Sequence, residues 1–206
     1  MYKKFFKILF SFSLTMALIH GIKAPLYAAE KPGHLLISGG YGYSMPLGGL
    51  SDMMESSMPF RASIRYVTNK GSSIGLAYAN GDYESEEVSD RKFMMEKVLI
   101  QYGGLQHWSK TDFNFQVGLG YINFKTNDGY EDGTIMFGGG LGVDFYLTDW
   151  LSVGPKIDLS YFEKVKSHRY YWVGDPQSGG YIESYPHEYE SCYLLDIFLA
   201  FTLHLF

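Results

Sequence analysis

From Leu35 onward apolar residues recur at every second position, and the pattern restarts eight times. The first run sets Leu35, Ile37, Tyr41 and Tyr43 against Ser38, Gly40, Gly42 and Ser44, and the second sets Phe60, Ala62, Ile64 and Tyr66 against Arg61, Ser63 and Arg65. Ile74, Leu76 and Tyr78 then oppose Gly75, Ala77 and Ala79, and Val98, Ile100 and Tyr102 oppose Lys97, Leu99 and Gln101. Phe113 to Tyr121 alternates with Asn114, Gln116, Gly118 and Gly120. Phe137, Leu141, Val143 and Phe145 alternate with Gly138, Gly140, Gly142 and Asp144. Leu151, Val153, Ile157 and Leu159 face away from Lys156, Asp158 and Ser160. Tyr193 through Leu205 alternates with Asp196, Ala200, Thr202 and His204. A strict period of two predicts eight strands, each with two different faces.

The connections predict how the strands follow one another. Residues 68–71, 109–112 and 148–150 are tight turns rich in Asn, Asp, Gly and Thr, which tolerate turn dihedrals. Residues 46–59, 80–92, 125–133 and 163–190 are longer and polar, and read as loops. Short turns at one end and long loops at the other give an even strand count and an up-and-down order, with both ends of the mature chain on the short-turn side. Trp108 and Trp150 then fall beside the short turns, where an indole with one wet edge is best placed, and Tyr66 and Tyr102 join them. The methionines of the first loop, Met45, Met53, Met54 and Met58, supply an apolar lid for the barrel mouth.

A soluble sandwich also alternates, so the second parity decides. Facing water it should be rich in Lys and Glu, yet it is mostly Gly, Ser, Ala, Asn and Gln with isolated charges of both signs. Small residues beside scattered charges suit the crowded interior of a narrow eight-stranded barrel, where a long side chain needs a glycine opposite it. Composition agrees: 24 Gly, 18 Tyr and 15 Phe accompany only 19% charged residues. The predicted class is all-β, an eight-stranded antiparallel up-and-down transmembrane barrel. Buried charges must be paired, so Arg61, Arg65 and Lys156 are matched to Asp144, Asp158 and Asp196 as an interior network.

Residues 1–29 read as a cleaved signal peptide and 30–206 as the barrel domain. Lys3, Lys4 and Lys7 precede an apolar stretch of about a dozen residues, short of the ~20 a spanning helix needs, and small residues at Ala28 and Ala29 follow. The formal charge is −5, and because those lysines and Lys23 precede the first acid, Glu30, the remainder carries −9. That balance excludes a nucleic-acid binder. The lone cysteine, Cys192, excludes an internal disulfide.

With its signal peptide, eight runs, alternating connections, the phrase Tyr146-Leu147-Thr148-Asp149-Trp150-Leu151-Ser152-Val153-Gly154 and terminal Phe206, the chain resembles the eight-stranded bacterial outer-membrane barrel family, which includes porin-like and opacity-type surface proteins. The resemblance implies an outer-membrane location, contact with lipid and lipopolysaccharide, and insertion by the barrel-assembly machinery, which reads a terminal aromatic preceded by alternating apolar residues. Here the apolar register falls instead on Leu205, Leu203, Phe201 and Leu199.

Candidate chemistry is sparse. His34, His107 and His204 belong to the short-turn end, away from the outer leaflet where a lipid-modifying barrel enzyme meets its substrate, and His168 and His187 read as loop residues without a positioned nucleophile. Asp82, Glu84, Glu86, Glu87, Asp90, Asp128, Glu131 and Asp132 make an acidic rim whose spacing matches no calcium loop. No catalytic, metal or cofactor residues are assigned. His168, Arg169, Tyr170, Tyr171 and Trp172 are the recognition candidates for an external ligand, or else they extend the last two strands above the membrane. A non-enzymatic structural or surface-interaction barrel, monomeric for want of a free edge, leads the readings. A narrow pore for ions or small solutes comes second and a lipid-modifying enzyme third.

Overall fold

The structure is a computed structural model that describes residues 33–86, 91–127, 129–173 and 181–205, with side chains at 167–184 outside the description. The proposed signal segment therefore lies outside the described residues. Strands β1 (His34–Gly48), β2 (Phe60–Val67), β3 (Ser72–Glu84), β4 (Lys92–Trp108), β5 (Thr111–Thr126), β6 (Glu131–Thr148), β7 (Leu151–Val173) and β8 (Tyr181–Leu205) form one closed antiparallel barrel. Closure is made by β1 against β8, in register from Leu35↔Leu205 to Gly48↔Cys192. The closed ring leaves no open sheet edge in the membrane zone, which is what a sheet needs to cross lipid.

The tight turns fall where the pattern resets. Thr68 and Ser72 close the β2–β3 turn (Thr68 N to Ser72 O, 2.8 Å), and Gly71 takes a left-handed φ of 81° there. Ser109 does the same, at 57°, in the two-residue turn before β5. At these turns Trp108 and Trp150 are 71% and 56% exposed, which places both at the membrane–water boundary rather than in a core.

The apolar parity of every run points outward. Ile100 (61% exposed), Leu141 (60%) and Leu199 (55%) belong to a belt that also holds Ile37, Ile64, Leu76, Val98, Leu119, Ile157, Phe201 and Leu203. A continuous apolar belt of this size would be an aggregation surface in water and is the required surface in lipid. Tyr78 and Tyr121 are exposed at its upper edge, and Tyr161 and Tyr193 meet there with ring centroids 5.2 Å apart and planes tilted by 39°. Above those tyrosines the polarity inverts. Glu84, Lys92 and Glu131 face outward, while Tyr83, Phe93, Met95, Ile122, Phe124 and Phe162 turn inward and are buried.

This inversion corrects three of the expected loops. β3 continues to Glu84, only residues 127–130 separate β5 from β6, and the span read as a loop from 163 to 190 is mostly a two-stranded ribbon, from Lys164↔Glu190 to Val173↔Tyr181. Alternation with charged residues on the outward parity is still a strand. It reads as a loop when the polarity expected is that of the membrane zone. His168 and His187 accordingly sit on ribbon strands, with Ser167 opposite His187 and His168 opposite Pro186.

The belt makes a depth-dependent prediction. Leu141→Arg, at mid-belt, should lower the unfolding free energy in lipid vesicles by about 2–4 kcal/mol, whereas Leu205→Arg near the lower boundary should cost about 0–1 kcal/mol. Urea titration of vesicle-inserted protein followed by gel mobility measures both, and equal costs would contradict the membrane placement.

Candidate functional site

The narrow interior is the region richest in chemistry, and it divides into three levels. At the periplasmic end a chain of hydrogen bonds joins five strands, β4 to β8. The Tyr146 hydroxyl donates to Asp112 Oδ2 (2.7 Å), so its oxygen is left to accept from His204 Nδ1 (3.1 Å). His204 Nε2 then accepts from the Ser152 hydroxyl at 2.8 Å, and His107 Nδ1 donates to the second oxygen of Asp112 at 2.7 Å. Asp112 as a pure acceptor sets the direction of the Tyr146 and His107 bonds, and a neutral His204 ring sets that of the Ser152 bond.

Just above, Asp144 accepts from Asn114 Nδ2 (2.8 Å) and from the Thr202 hydroxyl (3.3 Å), and lies 3.5 Å from Lys156 Nζ. Lys156 also donates to Thr202 (3.2 Å), whose oxygen bonds Ser38 Oγ at 2.9 Å. Arg65 is buried at this level under the fields of Asp144 and Asp112, and among the described residues it makes no direct ion pair.

At mid-barrel Arg61 pairs with Asp158, which also accepts from Gln116 Nε2 at 2.9 Å. Lys97 pairs with Asp196, which accepts a further bond from Ser44, and the Tyr83 hydroxyl donates to Ser44 Oγ at 2.8 Å. At these two levels Arg61, Lys97 and Lys156 thus meet Asp158, Asp196 and Asp144, while Arg65 stands in the fields of Asp144 and Asp112.

All six residues proposed for the interior network face the lumen, with two differences. Arg61 with Asp158 and Lys156 with Asp144 are brought together. Asp196 goes instead to Lys97, and Arg65 is left to longer-range attraction from two carboxylates. Lys97 was visible on the inward parity of its run. Its partner was not, because β4 and β8 meet only across the lumen. Asp112 was hidden in a segment read as a turn. Inward glycines make the room: a Cβ on Gly142 would stand 2.8 Å from Asn114 Oδ1 and 3.0 Å from Lys156 Cγ.

Above the charges the lumen is apolar. Leu50, Met53 and Met54, from the segment after β1, fold inward against Tyr83, Phe93, Met95, Phe124, Phe162 and Leu194, and all are buried. The expected methionine lid is therefore an inserted plug. Met58 stays 71% exposed, and Met45 lies on the outward parity of β1. At mid-barrel, among Arg61, Lys97, Asp158 and Asp196, there is a cavity of about 20 Å³, room for little more than one water.

Of the recognition candidates, His168, Arg169, Tyr170, Tyr171 and Trp172 lie on the backbone of β7 within the ribbon, and their side chains are outside the description. At its base Lys164 Nζ meets Glu188 at 2.7 Å, and that hydrogen bond pulls the Glu188 carboxyl below its ordinary pKa and lifts the Lys164 ammonium above its own. Among the described residues no group of three or more His, Cys, Asp or Glu is placed to hold a metal ion.

Removing one member of a buried pair strands the other. Asp196→Ala should destabilise the folded barrel by about 3–5 kcal/mol, and the double change Lys97→Met with Asp196→Leu should recover most of that loss. Urea unfolding of the three proteins tests the coupling, and additive losses in the double variant would refute it.

No protein-family model and no curated protein matches the sequence, so likeness rests on structure. Neisserial surface protein A superposes with a TM-score of 0.59 at 10% identity, covering 84% of this chain and 99% of that one. The attachment invasion locus protein Ail of Yersinia pestis gives 0.53 at 12% identity, over 85% and 100% of the two chains. OprG, an outer membrane protein of Pseudomonas aeruginosa, gives 0.53 at 14%, over 85% and 98%. With the exposed apolar belt and the closed ring of strands, these superpositions establish that the chain has the fold of the eight-stranded bacterial outer-membrane β-barrels.

Proposed function

We propose that the protein is a non-enzymatic barrel of the outer membrane that conducts nothing through its interior and acts through its external surface, as a structural or recognition element. The observation that carries this reading is double closure of the lumen. A neutral network of buried ion pairs fills the lower and middle levels, and Leu50, Met53 and Met54 fill the upper one. A conducting path would have to break the pairs and leave each charge buried alone, at several kcal/mol (order of magnitude) for each ion. That cost weighs against the pore reading.

Access weighs against the enzyme reading. Ser152, His204, Tyr146 and Asp112 are joined in an order that superficially resembles an activated serine. Ser152 and His204 are nevertheless buried at the periplasmic end, where no substrate atom reaches the hydroxyl. The chain of bonds instead ties β8 to β5, β6 and β7.

Lipid and lipopolysaccharide are the partners of the belt and of the tyrosines above it, and the barrel-assembly machinery is the partner during insertion. The closed ring leaves no edge that demands a second copy, so the barrel is monomeric. An external ligand would meet the β7–β8 ribbon and the upper rim. Ail has been solved with the heparin analogue sucrose octasulfate. In this chain the rim carries exposed Asp52, Glu55, Asp82, Glu84 and Glu86, a field that repels such a polyanion.

Planar-bilayer recording on protein verified as folded by its heat-shifted gel mobility tests the proposal. Silence is the expected result. Conductance steps of reproducible size would overturn it.

A further inference from the structure

Above the ring of tyrosines β7 and β8 leave their neighbours behind. β6 is in register with β7 only as far as Phe137↔Tyr161, and β1 with β8 only as far as Gly48↔Cys192, while β7 and β8 stay paired up to Val173↔Tyr181. The ribbon therefore has two strand edges that the barrel does not close, and closure of the interior does not require them.

The ribbon's own contacts fix which backbone groups each edge presents. Ser191 takes a left-handed φ of 56°, and across it the two faces exchange: Phe162 and Cys192 are buried below it, Val165 and Tyr189 above it. Lys166 N donates to Asp132 Oδ2 at 2.7 Å rather than to β8, so the even-numbered residues of β7 turn their N–H and C=O groups away from β8. On the partner strand a Cβ on Gly49 would stand 2.6 Å from Glu190 O, so the even-numbered residues of β8 turn theirs away from β7.

The two edges then differ. On β8 the outward positions include Pro186, which has no N–H to offer and interrupts the edge. On β7 Asp132 caps the edge at Lys166, and above it His168, Tyr170 and Trp172 present an unbroken row of backbone donors and acceptors with no described strand alongside. One edge is blunted and the other is left able to pair.

We propose that this edge of β7 pairs with the same edge of a second copy of the chain anchored in a facing membrane, so that the protein joins two outer-membrane surfaces. A strand edge meets its own copy symmetrically when the two run antiparallel. β7 runs outward from its membrane, so an antiparallel copy comes from a membrane that faces it, and each barrel remains a monomer in its own. With Tyr170 on the two-fold axis, Arg169 falls opposite Tyr171 and His168 opposite Trp172, which sets no like charges against each other. That register closes about six backbone bonds. Tyr170 stands about 30 Å along the strand from Tyr161, which gives the reach. A single pairing of this length is weak, and many copies on two facing surfaces act together. The proposal names the partner of the external surface and rests on the reading that the protein acts there.

Phosphatidylcholine vesicles carrying the native chain should cluster, raising the mean particle size in light scattering by about threefold or more over empty vesicles. Tyr170→Pro removes a donor from the β7 edge without touching the ribbon's own bonds, as Pro186 does on β8, and should abolish the clustering. Ser184→Pro, at the same level on the other edge (Tyr170↔Ser184), should leave it unchanged. Heat-shifted gel mobility verifies the folding of each protein. Absence of clustering by the native chain, clustering retained in Tyr170→Pro, or equal loss in both variants would each overturn the proposal.

Should the proline variants fail to fold, cross-linking provides the second measurement. Arg169→Cys and Tyr171→Cys proteins are placed in separate vesicle populations, and Cys192, fully buried, stays out of reach. Mixed and oxidised, they should form a disulfide-linked dimer. Either population alone should form about tenfold less, because two copies of position 169 stand about 8 Å apart in this register, beyond a disulfide's span. No dimer in the mixture, or equal yields from mixed and single populations, would overturn the proposal. Clustering and cross-linking are read independently of conductance, so their failure is distinguishable from failure of the closed-interior reading.

Discussion

A sheet that crosses lipid must leave no backbone N–H or C=O without a partner, and the rest of this molecule follows from that constraint. The pairing of β1 with β8 removes the last edge. Eight strands then enclose a lumen just wide enough to be filled by side chains. Outward positions are committed to apolar residues, so the chain's polar content in the membrane zone has nowhere to go but inward. The lumen cannot hydrate such groups as bulk water does, and opposite charges placed across it provide the compensation: Arg61 with Asp158, Lys97 with Asp196 and Lys156 with Asp144. The glycines of β6 belong to the same solution, since the stems of Lys156 and Asn114 pass over Gly142 where any Cβ would stand.

The same strands obey the opposite rule once they leave the lipid. Above Tyr78, Tyr121, Tyr161 and Tyr193 the outer face meets water and becomes charged, and the inner face becomes a conventional apolar core. One β-structure therefore contains a polar-centred half and an apolar-centred half, with the boundary where Asp196 accepts bonds from Lys97 and Ser44 beneath the Tyr83 ring. No change of strand direction or register marks this boundary. The solvent alone exchanges the preferences of the two parities.

That exchange explains what the sequence revealed and what it concealed. In the membrane zone the period of two, the turns at 68–71 and 148–150 and the inward placement of Arg61, Asp144 and Asp158 could be read directly, because each follows from local alternation. Lys97 with Asp196 could not be paired, since strands on opposite sides of a barrel have no sequence relation and their meeting depends on tilt and stagger. The upper strands were mistaken for loops because Glu84, Lys92, Lys164 and Glu188 lie on the parity that carries apolar residues lower down. The methionines of the first connection pointed to a lid. Their insertion below the rim follows from the apolar walls of β3, β4 and β5, which the same misreading had placed partly in loops.

The two ends of the lumen are closed by interactions of different character. At the periplasmic end each donor in the run Ser152–His204–Tyr146–Asp112 has one acceptor available, and the groups sit on four neighbouring strands. To move any of them, a ladder of β-pairing must also be broken. At the outer end the closing groups sit on a connection that bridges β1 at Ser44↔Ser57 and β3 at Met54↔Ser85, and what fills the lumen there is apolar contact, which is non-directional. Closure toward the cell interior therefore rests on directional bonds between strands, and closure toward the outside on apolar contact supported by a segment paired to two strands.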